Sequence, residues 1–168
     1  MLTKKEILAG LQLLNDELAK QSVKGEVCLY GGAVMCVAFD ARPSTMDVDA
    51  VFVPTKEMRV AIDRVGTMLG YGAQWMNDGV KGFLTDHSQT VFLSLPNIQV
   101  YIPVPDYLLA MKTLSARVDA TDKDDVKFLI RKLGLKNMRE VFAIVEKYYP
   151  QNQIRPATRF FIEELFAG

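Results

Sequence analysis

Two aspartates separated by one residue, Asp47-Val48-Asp49, are the clearest candidates for chemistry in this chain. On an extended strand, residues i and i+2 project from the same face, so both carboxylates would point together. The next residues, Ala50-Val51-Phe52-Val53, are apolar and read as the buried body of that strand. Neighbouring carboxylates repel each other unless a cation neutralises them. Oxygen ligands suit Mg²⁺ or Mn²⁺, which bind one or two carboxylates together with substrate phosphates. The plainer alternative is a pair of solvated acids at a strand end.

A second feature is Gly31-Gly32, between an apolar strand, Glu26-Val27-Cys28-Leu29-Tyr30, and an apolar helix from Ala33 to Phe39. Glycines at such a junction let a phosphate approach backbone N–H groups. Turn geometry alone would also account for them, and the pair fits neither a dinucleotide fingerprint nor a P-loop. A third group lies further on. Lys112 has Leu108, Leu109, Ser115 and Ala116 three and four residues away, so it faces inward. It could meet a phosphate as a point charge or snorkel at the edge of a groove. Asp122-Lys123-Asp124-Asp125 opens the following helix, where acids are favoured by the dipole and Thr121 with Asp124 resembles a capping box. Asp122 and Asp125 also precede Val126 and Leu129 by one turn, which places both on the packed stripe and points to a site.

Other chemistry is excluded. The 168 residues contain a single histidine, His87, so a site needing two is ruled out. His87 lies in a polar loop. The two cysteines, Cys28 and Cys36, sit in apolar stretches at no metal-binding spacing and read as buried free thiols. The formal net charge is +0, which gives no bulk attraction to nucleic acid. Any RNA contact would need a local patch, for which Arg117, Lys123, Lys127, Arg131 and Lys132 are candidates. No apolar run approaches the ~20 residues that span a bilayer, and the N-terminus lacks a signal-peptide core. The expectation is therefore a cytoplasmic protein with no membrane partner.

The elements that must position these residues follow from periodicity. Residues 3–20 predict an amphipathic helix with a Thr3/Glu6 capping box and Ile7, Leu11, Leu14 and Leu18 on one face. Strands are expected at 26–30, 46–53, 90–93 and 98–102, with a helix at 56–69 and a short helix after Asn77. Beyond Pro105 the pattern turns helical, at 106–117, 122–133, 138–149 and 157–166, with Pro105, Thr121, Asn137 and Pro156 as start signals. The fold class is thus α/β (α+β), a small mixed β-sheet flanked by helices and followed by a helical C-terminal part. Residues 1–104 would form the α/β core and 105–168 a helical subdomain, the alternative being one compact domain.

The run from Tyr30-Gly31-Gly32 to Met46-Asp47-Val48-Asp49-Ala50-Val51-Phe52 resembles the signature of the DNA polymerase beta-like nucleotidyltransferase superfamily. More closely, the chain is similar to the AbiEii toxin-like group, and closest to a domain-of-unknown-function family labelled nucleotidyltransferase. Arg42 to Asp49, Trp75-Met76-Asn77-Asp78, Tyr107 to Lys112, Ala116-Arg117 and Asp122 to Asp125 carry that similarity. The resemblance implies a nucleotidyltransferase core. It implies that Asp47 and Asp49 hold Mg²⁺ or Mn²⁺, and that Gly31, Gly32, Ser44, Thr45 and Lys112 bind the nucleotide. Asp47, Asp49, Lys112, Asp122 and Asp125 would then be the catalytic set. The implied activity is transfer of a nucleotidyl group from a nucleoside triphosphate to an RNA 3′ end or a protein hydroxyl, in a toxin-like setting with an antitoxin-like partner. The strands at 90–93 and 98–102 carry no acid where many relatives have a third carboxylate. That departure supports an alternative, an interaction module that keeps the fold without the catalysis. A Mg²⁺-dependent hydrolase is a further alternative.

Overall fold

Thr3 opens the first helix with the reciprocal bonds its sequence implies. Its Oγ1 accepts from the Glu6 N–H at 3.3 Å, and Glu6 Oε1 accepts from the Thr3 N–H at 3.2 Å. In the computed structural model, which describes residues 1–115, 120–150 and 152–167, this helix is α1 (Lys4–Lys20). It buries Ile7, Leu11, Leu14 and Leu18, the stripe expected from helical spacing. The remaining elements are β1 (Leu2–Thr3), β2 (Gly25–Tyr30), α2 (Gly31–Val37), β3 (Ser44–Thr45), β4 (Val48–Val53), α3 (Thr55–Leu69), β5 (Met76–Asn77), a 3₁₀ turn (Gly79–Phe83), β6 (Gln89–Ser94), β7 (Ile98–Pro103), α4 (Pro105–Ser115), α5 (Ala120–Leu133), α6 (Met138–Tyr148) and α7 (Pro156–Ala167). The architecture is mixed α/β, as the sequence pattern predicts.

The chain divides into two compact units, one of residues 1–84 and 89–103, the other of residues 85–88 and 104–168. The first holds a five-stranded sheet in the order β5-β4-β2-β7-β6 and a two-stranded ribbon, β1-β3. β2 is antiparallel to β4 and parallel to β7. Alternation along β4 buries Val48, Ala50 and Phe52 and turns Asp49, Val51 and Val53 to the other face. The turn between β6 and β7 is fastened to α1 and to the loop after it: Asn97 N–H donates to Asn15 Oδ1 at 2.7 Å, and Asn97 Nδ2 donates to Val23 O at 3.0 Å. In the second unit, α4 packs against α5 and α6, burying Tyr107, Leu108, Leu109, Val126, Leu129, Val141 and Val145. Among the described residues, no helix is long and apolar enough to cross a membrane.

Three expectations are corrected. The strand expected from Met46 starts at Val48. Ser44 and Thr45 are drawn into pairing with Thr3 and Leu2, and Met46-Asp47 forms the bend that carries the chain from that ribbon into β4. Gly31 and Gly32 are not ahead of the second helix but form its first turn. Thr121 is not a cap, because α5 already includes Ala120. Asn137 is one, its Oδ1 accepting from the Glu140 N–H at 3.1 Å. Arg117 and its neighbours at 116–119 lie outside the described residues.

Both cysteines are buried free thiols. Burial pushes the Cys28 thiol up to about 11, because desolvation disfavours the thiolate. The folded state therefore holds this proton where the unfolded chain releases it. The stability it contributes is complete below the ordinary value of 9.0 and is lost as pH rises from there toward 11. Burial raises the Tyr149 phenol as well, which acts in the same direction at higher pH. Denaturant unfolding at pH 8 and pH 10.5 should show a smaller alkaline loss in Cys28→Ala than in the parent, by about 2 kcal/mol. Equal losses would refute the assignment to Cys28.

Candidate functional site

β4 positions the acidic pair. Its first hydrogen bond runs from the Val48 N–H to Trp75 O at 2.7 Å, and β5 then pairs in parallel with Asp49 opposite Asn77. Register partners carry their side chains on the same face of a sheet, so Asn77 and Asp49 share one. The Asn77 amide also donates to Asp47 Oδ2 at 3.3 Å. Asp47 itself is exposed in the bend, where its backbone oxygen accepts from Thr45 Oγ1 at 3.2 Å. The two carboxylates are thus gathered on the Asn77 side of the sheet. The bend and Asn77 do this, not the i, i+2 alternation of a single strand.

The glycine turn lies against this pair. Tyr30, the last residue of β2, is the register partner of Asp49, so Gly31 follows beside the carboxylate. Gly31 has a positive φ of 59°, a conformation that side chains other than glycine adopt at a cost. A Cβ placed there would stand 3.2 Å from Asp49 Oδ2. On Gly32 a Cβ would stand 2.5 Å from Arg42 Nη1 and 2.7 Å from Thr45 Oγ1. The second glycine therefore leaves room for a guanidinium and a hydroxyl. Ser44 is half-buried in β3, opposite Thr3. Gly31, Gly32, Thr45, Asp47 and Asp49 accordingly form one neighbourhood of the first unit. Arg42 and Asn77 join it from loop and strand residues to which the sequence assigned no role of their own. The only sequence signal for either is membership of the Arg42–Asp49 and Trp75–Asp78 segments.

Lys112, Asp122 and Asp125 are brought together in the second unit. The Lys112 ammonium lies 2.9 Å from Asp122 Oδ1 and 2.9 Å from Asp125 Oδ2. The three side chains are 13%, 17% and 2% exposed. Lys112 faces inward, as its spacing predicts, and closes an ion triad that joins α4 to α5. In the basic patch, the Lys123 and Lys127 ammonium groups lie 5.2 and 6.0 Å from the centre of the Phe161 ring, so their charge is directed toward α7. His87 stacks on Tyr107 with ring centres 4.0 Å apart.

Hard oxygen donors are what the first neighbourhood offers a metal, in the form of Asp47 and Asp49. Among the described residues no group of three His, Cys, Asp or Glu side chains is placed to hold one. Two protein carboxylates nevertheless suffice for Mg²⁺, which commonly completes its shell with water and substrate phosphate. Comparison of the chain with protein-family models, with curated proteins and with solved structures returns no match.

Proposed function

We propose that the α/β unit binds a nucleoside triphosphate with Mg²⁺ or Mn²⁺, and that the chain transfers a nucleotidyl group to an RNA 3′ end or a protein hydroxyl. The observation that carries this reading is the placement of Asp49 beside Gly31, with Asp47 held by Asn77. Two acids meet a backbone turn that no Cβ obstructs. Asp47 and Asp49 would hold the ion, which when bound polarises the reacting phosphate and screens its charge. Gly31 and Gly32 carry no Cβ, so the Asp49 carboxylate and the Arg42 guanidinium can stand against the turn where the phosphate chain would be met. Thr45 adds a hydroxyl at the same turn. Asn77 keeps Asp47 on the side of the sheet that Asp49 occupies. A hydroxyl of the acceptor would bond to the α-phosphorus and release its proton to water, as the bond from that phosphorus to the leaving pyrophosphate breaks.

The test is calorimetric titration of each ribonucleoside triphosphate, with and without Mg²⁺, into the parent and into a folded Asp47→Ala/Asp49→Ala variant. Binding should require the metal and weaken by about a hundredfold or more in the variant, the size expected for loss of two charged contacts. Equal binding by the variant would remove the acids from the site. A second reading, a nucleotide-binding interaction module without catalysis, is favoured by the lack of a third acid near the pair among the described residues. Metal-dependent binding with no label transfer to RNA or protein would select it.

A further inference from the structure

We propose that Arg42 grips the phosphate chain of the bound nucleoside triphosphate, an inference that rests on the nucleotide-site reading above. Arg42 belongs to the loop between α2 and β3 and is half-buried there. A Cβ on Gly32 would stand 2.5 Å from its Nη1 and 3.1 Å from its Cζ. The guanidinium therefore lies against the backbone in the space a side chain at 32 would take. Thr45 Oγ1 converges on the same point, and Asp49 Oδ2 approaches the neighbouring Gly31. Adjacent Cα atoms are ~3.8 Å apart, so cation, hydroxyl and carboxylate crowd one short stretch of chain.

Charge decides what such a cluster attracts. Asp47, Asp49 and Arg42 together carry one net negative charge, which repels a polyanion. A divalent ion on the two acids reverses the sign to one net positive charge. The same ion neutralises the two carboxylates of this neighbourhood, so the guanidinium can turn its donors to phosphate. Its planar fork matches two phosphate oxygens at once, which an ammonium cannot do. Lys112, the cation to which the family resemblance gives this task, already has two carboxylates at 2.9 Å. With the ion holding one phosphate beside Asp49 and Gly31, the fork beside Gly32 would meet another phosphate of the chain, so Arg42 would give the site a metal-dependent preference for a triphosphate over a monophosphate.

Arg42→Lys, Arg42→Gln and Gly32→Ala, each checked by thermal unfolding, would be titrated with the four ribonucleoside triphosphates and monophosphates in Mg²⁺. Mn²⁺ binding alone would be followed by electron paramagnetic resonance. Both Arg42 variants should lose about tenfold to a hundredfold in triphosphate affinity. Monophosphate affinity should change by less than about threefold, since its one phosphate is taken up by the ion, and Mn²⁺ affinity by less than about twofold, since the ion alone does not need the fork. Gly32→Ala should weaken triphosphate binding comparably by displacing the guanidinium, and should add little to Arg42→Gln, because the two changes act on one contact. Triphosphate affinity within about threefold of the parent in Arg42→Gln would overturn the inference and leave the nucleotide site standing. Loss of Mn²⁺ along with triphosphate would also overturn it, by showing that Arg42 acts through the acids. A parent protein that binds none of the four triphosphates with metal would overturn both.

Discussion

Lys112→Met should lower stability by about 3–5 kcal/mol, the usual cost of removing one partner from a buried ion pair. Asp125 is 2% exposed and would lose the ammonium 2.9 Å from its carboxylate, while Asp122, at 17%, keeps more access to water. Asp125→Ala should accordingly cost more than Asp122→Ala. For a chain of this size the Lys112 change corresponds to a drop in unfolding midpoint of roughly 6–20 °C, readable by calorimetry or circular dichroism. A triple replacement, Lys112→Met with Asp122→Leu and Asp125→Leu, should recover most of the loss, because it removes the desolvated charges together. A Lys112→Met variant with an unchanged midpoint and weakened triphosphate binding would assign the lysine to the nucleotide instead.

Trp75→Ala is expected to cost a further class of stability, about 3–5 kcal/mol. The indole is 2% exposed and lies on α1 where only a glycine lets it approach: a Cβ on Gly10 would be 2.6 Å from its Cη2. Its Nε1–H donates to Ile62 O at 2.9 Å, so the ring joins α1 to α3. Its backbone oxygen accepts the first hydrogen bond of β4. Loss of the ring should loosen the start of the β4–β5 pairing and with it the Asn77–Asp47 contact. Gly10→Val attacks the same joint from the other side and should cost about 1–3 kcal/mol by overpacking. Denaturant unfolding of both variants measures this; a loss below ~1 kcal/mol for Trp75→Ala would mean that the joint carries little.

What could be read beforehand depended on the range of the interaction that sets it. The α1 stripe from Ile7 to Leu18, the Thr3 and Asn137 caps and the strands around Val27 and Val100 are set by neighbours a few residues away, and their patterns declare them. Strands β1, β3 and β5 are two residues each, too short to show any period. Yet β3 pulls the chain away from the strand expected at Met46, and β5 supplies Asn77. The glycines at 31 and 32 and the acids at 47 and 49 were legible as residue types. Their meeting with Arg42 was not, because nine residues of sequence separate Arg42 from Gly32 and nothing periodic connects them. The inward face of Lys112 was readable from its neighbours on α4, whereas its partners at 122 and 125 became visible only once α5 was folded against it.

No single cut in the backbone separates the two units. The chain leaves the first after Leu84, lends Thr85 to Ser88 to the second, returns as β6 and departs again at Val104. Those four residues hold fast to α4: the Thr85 N–H donates to the Tyr107 hydroxyl at 3.0 Å, His87 stacks on the same ring, and Ser88 O accepts from the Val104 N–H at 3.1 Å. A fragment that began at Val104 would carry Tyr107, wholly buried in the intact chain, without that donor and without that stack. The helical half is therefore not an exchangeable cassette. Anyone grafting it onto another protein, or expressing it alone, must splice the Thr85–Ser88 segment back in, and a shuffled gene that kept only the contiguous C-terminal block would encode an incomplete fold.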